Sequence, residues 1–160
     1  MEELITKIVE KFRIFWKNYI FQSFLAALTM FLVLLFLSLE HAVIIASIGA
    51  TAFIVFAMPK NVTAKPRNVV GGHLVGLISG SLCALIPHPS FSAAVIYSFA
   101  VGLSIFIMVA TDTEHPPASG TALGVAITGF SGNVAIAVIA SAIVLSLVHY
   151  FLKPYLKDLV

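Results

Sequence analysis

The sequence predicts an all-α, polytopic membrane protein, a helical bundle of about six transmembrane spans whose two halves of three form an inverted-topology repeat. Three observations carry this. Of the 160 residues, 60% are hydrophobic and 10% charged, whereas a soluble domain is about 25% charged. Apolar runs recur along the chain between short polar stretches, and a spanning helix needs about 20 apolar residues. All nine basic residues fall in three clusters, at 7–17, 60–67 and 153–157.

With a mean hydropathy of +1.07, so little charge could not cover the surface of a soluble globule. A soluble enzyme, a disordered chain and a nucleic-acid-binding domain are excluded, and the net charge of +2 marks membrane topology instead. The single cysteine, Cys83, leaves no intrachain disulfide and no multi-cysteine metal site. No metal and no cofactor are expected. The first apolar stretch is too long for a signal peptide and follows a charged opening.

Residues 1–18 mix Glu2, Glu3, Lys7, Glu10, Lys11, Arg13 and Lys17 with apolar residues at helical spacing. They read as an amphipathic helix on the membrane surface, with Trp16 and Tyr19 where it turns into the bilayer. Residues 19–153 form the transmembrane domain. Span 1 is 19–39, and Glu40-His41 follows it. Span 2 is 42–58, ended by Pro59, and span 3 is 69–86, ended by Pro87-His88-Pro89. Span 4 is 91–110, span 5 is 116–130 and span 6 is 134–152. The short span 5 can extend backward through Thr111–His115 if that polar segment is buried in protein. His149 reads as interfacial. Six crossings put every basic cluster on one side, so both termini are expected in the cytoplasm, with a prokaryotic inner membrane as the setting.

Small residues line three spans. Gly72, Gly76 and Gly80 make two G-x-x-x-G steps in span 3, and Gly120 and Gly124 make one in span 5. Ser47 and Thr51 keep the same spacing in span 2. Such positions let helix backbones approach closely, so spans 2, 3 and 5 should form the centre. The same glycine face could also join two copies, which makes a homo-oligomer, most simply a dimer, the expected assembly.

Glu-His occurs twice, at Glu40-His41 and Glu114-His115, each opening a short span rich in small residues. The chain thus reads as halves 19–87 and 91–153. Three crossings per half force the second half upside down, an arrangement typical of transporters. Ionisable groups inside a membrane are costly and point to function. Arg67 and His73 on one helix start make a plausible anion subsite, or else Arg67 marks topology and His73 braces a carbonyl. His115, Ser47, Thr51, Ser119 and Thr121 join them as candidate substrate ligands. Glu40, His41, Asp112 and Glu114 are candidate proton or coupling groups, because a carboxylate–histidine pair can carry a proton.

Two strings, Lys65-Pro66-Arg67-Asn68-Val69-Val70-Gly71-Gly72-His73 and Glu114-His115-Pro116-Pro117-Ala118-Ser119-Gly120-Thr121-Ala122, resemble the HPP family of integral membrane proteins. His115-Pro116-Pro117 matches the tripeptide that names the family. Ala46–Thr51 resembles its A-S-x-G-A-[ST] segment. The resemblance covers about 19–152. Chloroplast and cyanobacterial relatives are associated with nitrite transport, which implies a small-anion transporter or channel here, with nitrite the leading substrate. Two alternatives stay open: a proton or cation pathway through the carboxylates and histidines, and a non-transporting anchor or sensor module. An enzyme is not expected, since H-E-x-x-H and G-x-S-x-G are absent.

Overall fold

The computed structural model describes residues 2–34, 42–87 and 92–160. Glu40, His41 and His88 lie outside the described residues. Among those described, every regular element is helical: α1 (Glu2–Leu34), α2 (Ala42–Ala57), α3 (Pro66–Ala84), α4 (Ala93–Ala110), α5 (Pro117–Thr128) and α6 (Gly132–Leu152), with short 3-10 turns at Val62–Ala64 and Lys153–Tyr155.

α1 runs unbroken for 33 residues, so the expected surface helix and first span are one rod with no turn at Trp16–Tyr19. The reason is local. No Pro or Gly stands between residues 2 and 34, and nothing else there interrupts the hydrogen-bond ladder. In its first half, Ile5, Val9, Phe12 and Ile14 are exposed. Its second half is held to the bundle by Gln22, which is buried. Gln22 Nε2 donates to the carbonyls of Phe56 and, at 2.9 Å, Lys157, while its Oε1 accepts from the Lys157 N–H. The C-terminal tail is thereby folded back between α1 and α2, where the Leu159 N–H also reaches the Ala57 carbonyl.

α4 and the stretch Gly132–Tyr155 are long and apolar enough to cross a bilayer, each with a mean hydropathy of 2.3. α2 and α5 are shorter, about 24 and 18 Å at 1.5 Å per residue, against a hydrocarbon core of about 30 Å. Large apolar side chains face outward on several helices: Phe24 and Phe31 on α1, Ile78 on α3, Phe106 on α4, and Ile136 and Phe151 on α6 are all exposed. A water-soluble monomer rarely shows so much apolar exterior.

The inside is built on close backbone approach. A methyl group added at Gly72 would stand 2.6 Å from His115 Cβ, and one at Gly80 would stand 2.5 Å from the Ala122 carbonyl oxygen. At Gly76 it would run into the Ala118 carbonyl. The glycine stripe of α3 is therefore occupied by α5 of the same chain, which corrects its use as a face between copies. On α5, Gly120 and Gly124 admit Ser47 and Ile44 of α2. The order of these contacts runs α3 parallel to α5 and α2 antiparallel to both. α2, α3 and α5 form the centre, as expected, and α6 closes one side through Val138, Ala142 and Leu145 of the apolar core.

α5 starts at Pro117 and does not extend back through Thr111–His115. α4 ends instead in a Schellman-type cap: the Thr113 N–H reaches the Met108 carbonyl at 2.9 Å and Asp112 takes a left-handed φ of 56°, a place where Gly is usual and Asp tolerable. At the far end α5 stops before Gly129, φ 83°, and α6 begins at Gly132.

Candidate functional site

The centre of the apolar bundle is polar. Thr51 from α2, His73 from α3, His115 from the segment before α5, and Thr121 from α5 are all fully buried, and Ser47 of α2 is nearly so. Each is delivered by a local feature. Ser47 and Thr51 are one turn apart on α2 and share a face. His73 follows the Gly71-Gly72 pair, which lets α3 sit against the segment carrying His115. Pro116 and Pro117 occupy the α5 start, where their missing N–H groups leave nothing unsatisfied.

The two imidazoles meet at Thr51. Its Oγ1 lies 2.9 Å from His73 Nε2 and 2.9 Å from His115 Nε2, and it reaches the Ser47 carbonyl one turn back at 3.0 Å. The ring centroids are 5.2 Å apart and the planes are tilted by 57°. On the outer side of each ring, His115 Nδ1 donates to the Thr63 carbonyl at 2.8 Å, and His73 Nδ1 contacts Thr121 Oγ1 at 2.9 Å. Thr121 Oγ1 is 3.0 Å from Ser47 Oγ, which donates to the Pro117 carbonyl. Because a carbonyl can only accept, the Thr63 contact requires a proton on His115 Nδ1.

Of the residues singled out in the sequence, the structure brings together Ser47, Thr51, His73, His115 and Thr121. It does not bring Arg67 to them. Arg67 is exposed, pairs with Asp112 Oδ2 at 3.2 Å and donates to the Thr111 carbonyl at 3.0 Å. The expected Arg67–His73 subsite is thus not formed. Six residues on a helix are 600° of rotation, which turns Arg67 about 120° away from His73. Asp112 is tied up in that exposed pair. Glu114 is half-buried, and its carbonyl accepts from Asn68 Nδ2 at 3.1 Å. Ser119 is half-buried and joins none of the central hydrogen bonds. Gly72, Gly76, Gly80, Gly120 and Gly124 serve the packing that closes the site.

His149 lies near the end of α6, one turn from Lys153. It is buried, and its Nε2 donates to the Pro59 carbonyl at 2.9 Å. The Thr63 carbonyl and Gln22 were not singled out in the sequence. A backbone carbonyl has no side-chain signature, but a glutamine inside an apolar run is a readable signal. Concavities open elsewhere: a groove between α1, α2 and the tail lined by Tyr19, Gln22, Phe53 and Leu159, and an apolar one between α3 and α6 lined by Leu74, Ile136 and Ile139.

Comparison with known proteins finds similarity to transmembrane proteins. The transmembrane region of the HPP family matches residues 10–156. A transmembrane protein of Dictyostelium discoideum is 35% identical over 108 residues, which cover 63% of this chain and 38% of the relative. A second from the same organism is 35% identical over 85 residues, covering 52% of this chain and 27% of its own. The chain therefore spans well under half the length of these curated relatives. No solved structure matches it. With the family match running through almost the whole chain, and with two helices apolar enough to span a bilayer, the protein belongs to the HPP family of transmembrane proteins.

Proposed function

We propose that the chain is a membrane transporter or channel for a small monovalent anion, with nitrite as the leading substrate. One observation carries the reading: two buried ring nitrogens converge on a single oxygen, Thr51 Oγ1, at 2.9 Å each. That convergence gives the centre two ring nitrogens able to donate to an oxygen acceptor, a role that an anion held beside Thr51 would share. Thr121 and Ser47 place two further hydroxyls in the same hydrogen-bonded line. Nitrite itself enters through the family resemblance.

The site would sit in a six-span inverted repeat with both termini cytoplasmic. The packing supports the repeat. Exchanging α1 with α4, α2 with α5 and α3 with α6 maps the set of packed helix pairs onto itself, although the α1–α6 contact is much slighter than its counterpart α3–α4. Thus α3–α5 corresponds to α6–α2, α3–α4 to α6–α1 and α4–α5 to α1–α2, while α2–α5 and α3–α6 map onto themselves. α2 and α5 then cross at the pseudo-symmetry axis, where inverted-repeat transporters place their sites. Of the irregular segment before α5, His115 is fully buried, while Thr111 and Asp112 stay exposed. The transporter is further proposed to be a homodimer joined through faces other than the α3 glycine stripe.

Flux into proteoliposomes tests the function. A nitrite gradient should drive uptake by the wild type and none by His115→Ala of unchanged expression and oligomer size. Cation-selective current would favour a proton or cation pathway. A tight bilayer under nitrite, nitrate, chloride and sodium gradients would favour a module that does not transport.

A further inference from the structure

Protons can be counted across the polar centre. Six contacts run in line between two carbonyls. They join the Thr63 carbonyl to His115 Nδ1, His115 Nε2 to Thr51, Thr51 to His73 Nε2, His73 Nδ1 to Thr121, Thr121 to Ser47, and Ser47 to the Pro117 carbonyl. None is longer than 3.0 Å. Both ends can only accept, so each of the six links needs a proton supplied from within the line. With both rings neutral the line holds five: one on each imidazole and one on each of three hydroxyls. Five protons leave one link with lone pairs facing each other. The Ser47 carbonyl beside Thr51 only competes for the same supply.

A sixth proton fills every link, and it does so with the charge on either ring. If His115 is the imidazolium, it donates to Thr63 and Thr51, Thr51 donates to His73, and the remaining donors point toward Pro117. Transfer then needs only Thr51. The His115 Nε2–H bond breaks as a new Thr51 O–H bond forms, while the old Thr51 O–H bond breaks as His73 Nε2–H forms. The charge moves and the proton count does not change.

Among the described residues, no helix packed on the centre supplies a counter-charge. α2, α4 and α5 contain no Asp, Glu, Lys or Arg; α4 carries Tyr97, and α6 carries His149, held by Pro59. α3 brings Arg67, engaged with Asp112, and Cys83. The flanking loops bring Lys60, Lys65 and Glu114, and Glu114 makes no hydrogen bond or ion pair with either ring. A buried cation without a partner is strongly unfavourable. We infer that the centre takes up one proton with each anion, the charge being shared between His73 and His115 through the Thr51 hydroxyl. The inference rests on the anion reading of the site and adds its coupling ion and stoichiometry.

Calorimetric titration of the purified protein with sodium nitrite, in two buffers of different ionisation enthalpy, reads binding and proton number in one series. About one proton taken up per nitrite bound is expected. Binding with no proton uptake overturns the inference and leaves the anion reading standing. Absence of binding removes both. Thr51→Val keeps the shape and removes the relay, so it should lose the uptake, while Thr51→Ser should keep it. A full proton taken up by Thr51→Val overturns transfer through that hydroxyl. Nitrogen-15 spectra of histidine-labelled wild type need no variant: His73 and His115 should shift together on adding nitrite, with His149 unmoved. A change confined to one ring of the pair overturns the sharing.

Discussion

Gly80→Ala isolates the packing of α3 on α5, two turns away from the histidines. The added methyl would lie 2.5 Å from the Ala122 carbonyl oxygen, 2.8 Å from Val125 Cβ and 3.1 Å from Ala122 Cα. Two of these atoms are backbone of α5 and cannot rotate away, so the helices must part. Overpacking of this kind costs about 1–3 kcal/mol, and backbone obstruction places it near the upper end. Alanine returns about 1 kcal/mol of helix propensity, leaving a net loss of roughly 2 kcal/mol. At about 2–4 °C per kcal/mol for a chain of this size, the melting temperature should fall by roughly 4–8 °C. Gly102→Ala on α4 is the control, because nothing lies within 4 Å of its added methyl; it should gain about 0.5–1 kcal/mol. A thiol-reactive fluorogenic dye suits the measurement, since Cys83 is the chain's single cysteine, is buried, and sits one turn beyond Gly80. If Gly80→Ala melts at or above the wild type, or if it changes oligomer mass without changing Cys83 exposure, the α3–α5 assignment of the glycine stripe is wrong.

Other perturbations have equally definite outcomes. Gln22→Leu leaves the carbonyls of Phe56 and Lys157 without their donor, at about 1–3 kcal/mol, and limited proteolysis should then cut the C-terminal tail sooner. Arg67→Gln breaks an exposed ion pair worth about 0–1 kcal/mol; nitrite flux that collapses in this variant would return Arg67 to the site. His149→Phe should destabilise by about 1–3 kcal/mol through the unserved Pro59 carbonyl, read as a lower melting temperature, while flux measured at low temperature stays unchanged.

Much of the centre could be read from the chain because an apolar background makes polar positions conspicuous. Ser47, Thr51, His73, His115 and Thr121 stand out for that reason, and Gly72, Gly76 and Gly80 announce a close helix contact through their spacing alone. Which partner each would meet was less visible. Arg67 and His73 looked like neighbours because they share a helix, yet a third of a turn separates their directions. The glycine stripe could have served a second copy or the same chain, and only the path of the segment between α4 and α5 decides it. The Thr63 and Pro59 carbonyls were beyond reach, since every residue has one and no side chain marks those that are used. α1 was divided at Trp16–Tyr19 by composition, although nothing in its backbone chemistry requires a break.

The stretch from Pro59 to Thr63 is held at both ends by imidazoles from different parts of the chain. His149 grips the Pro59 carbonyl from α6, and His115 grips the Thr63 carbonyl from the segment before α5. The short connection between α2 and α3 therefore acts as a crossbar fastening the first half of the molecule to the second. Any rocking of one half against the other has to carry this bar along intact or release one of its two latches. One latch belongs to the central histidine pair, so a displacement of His115 would reach this connection directly through the Thr63 carbonyl.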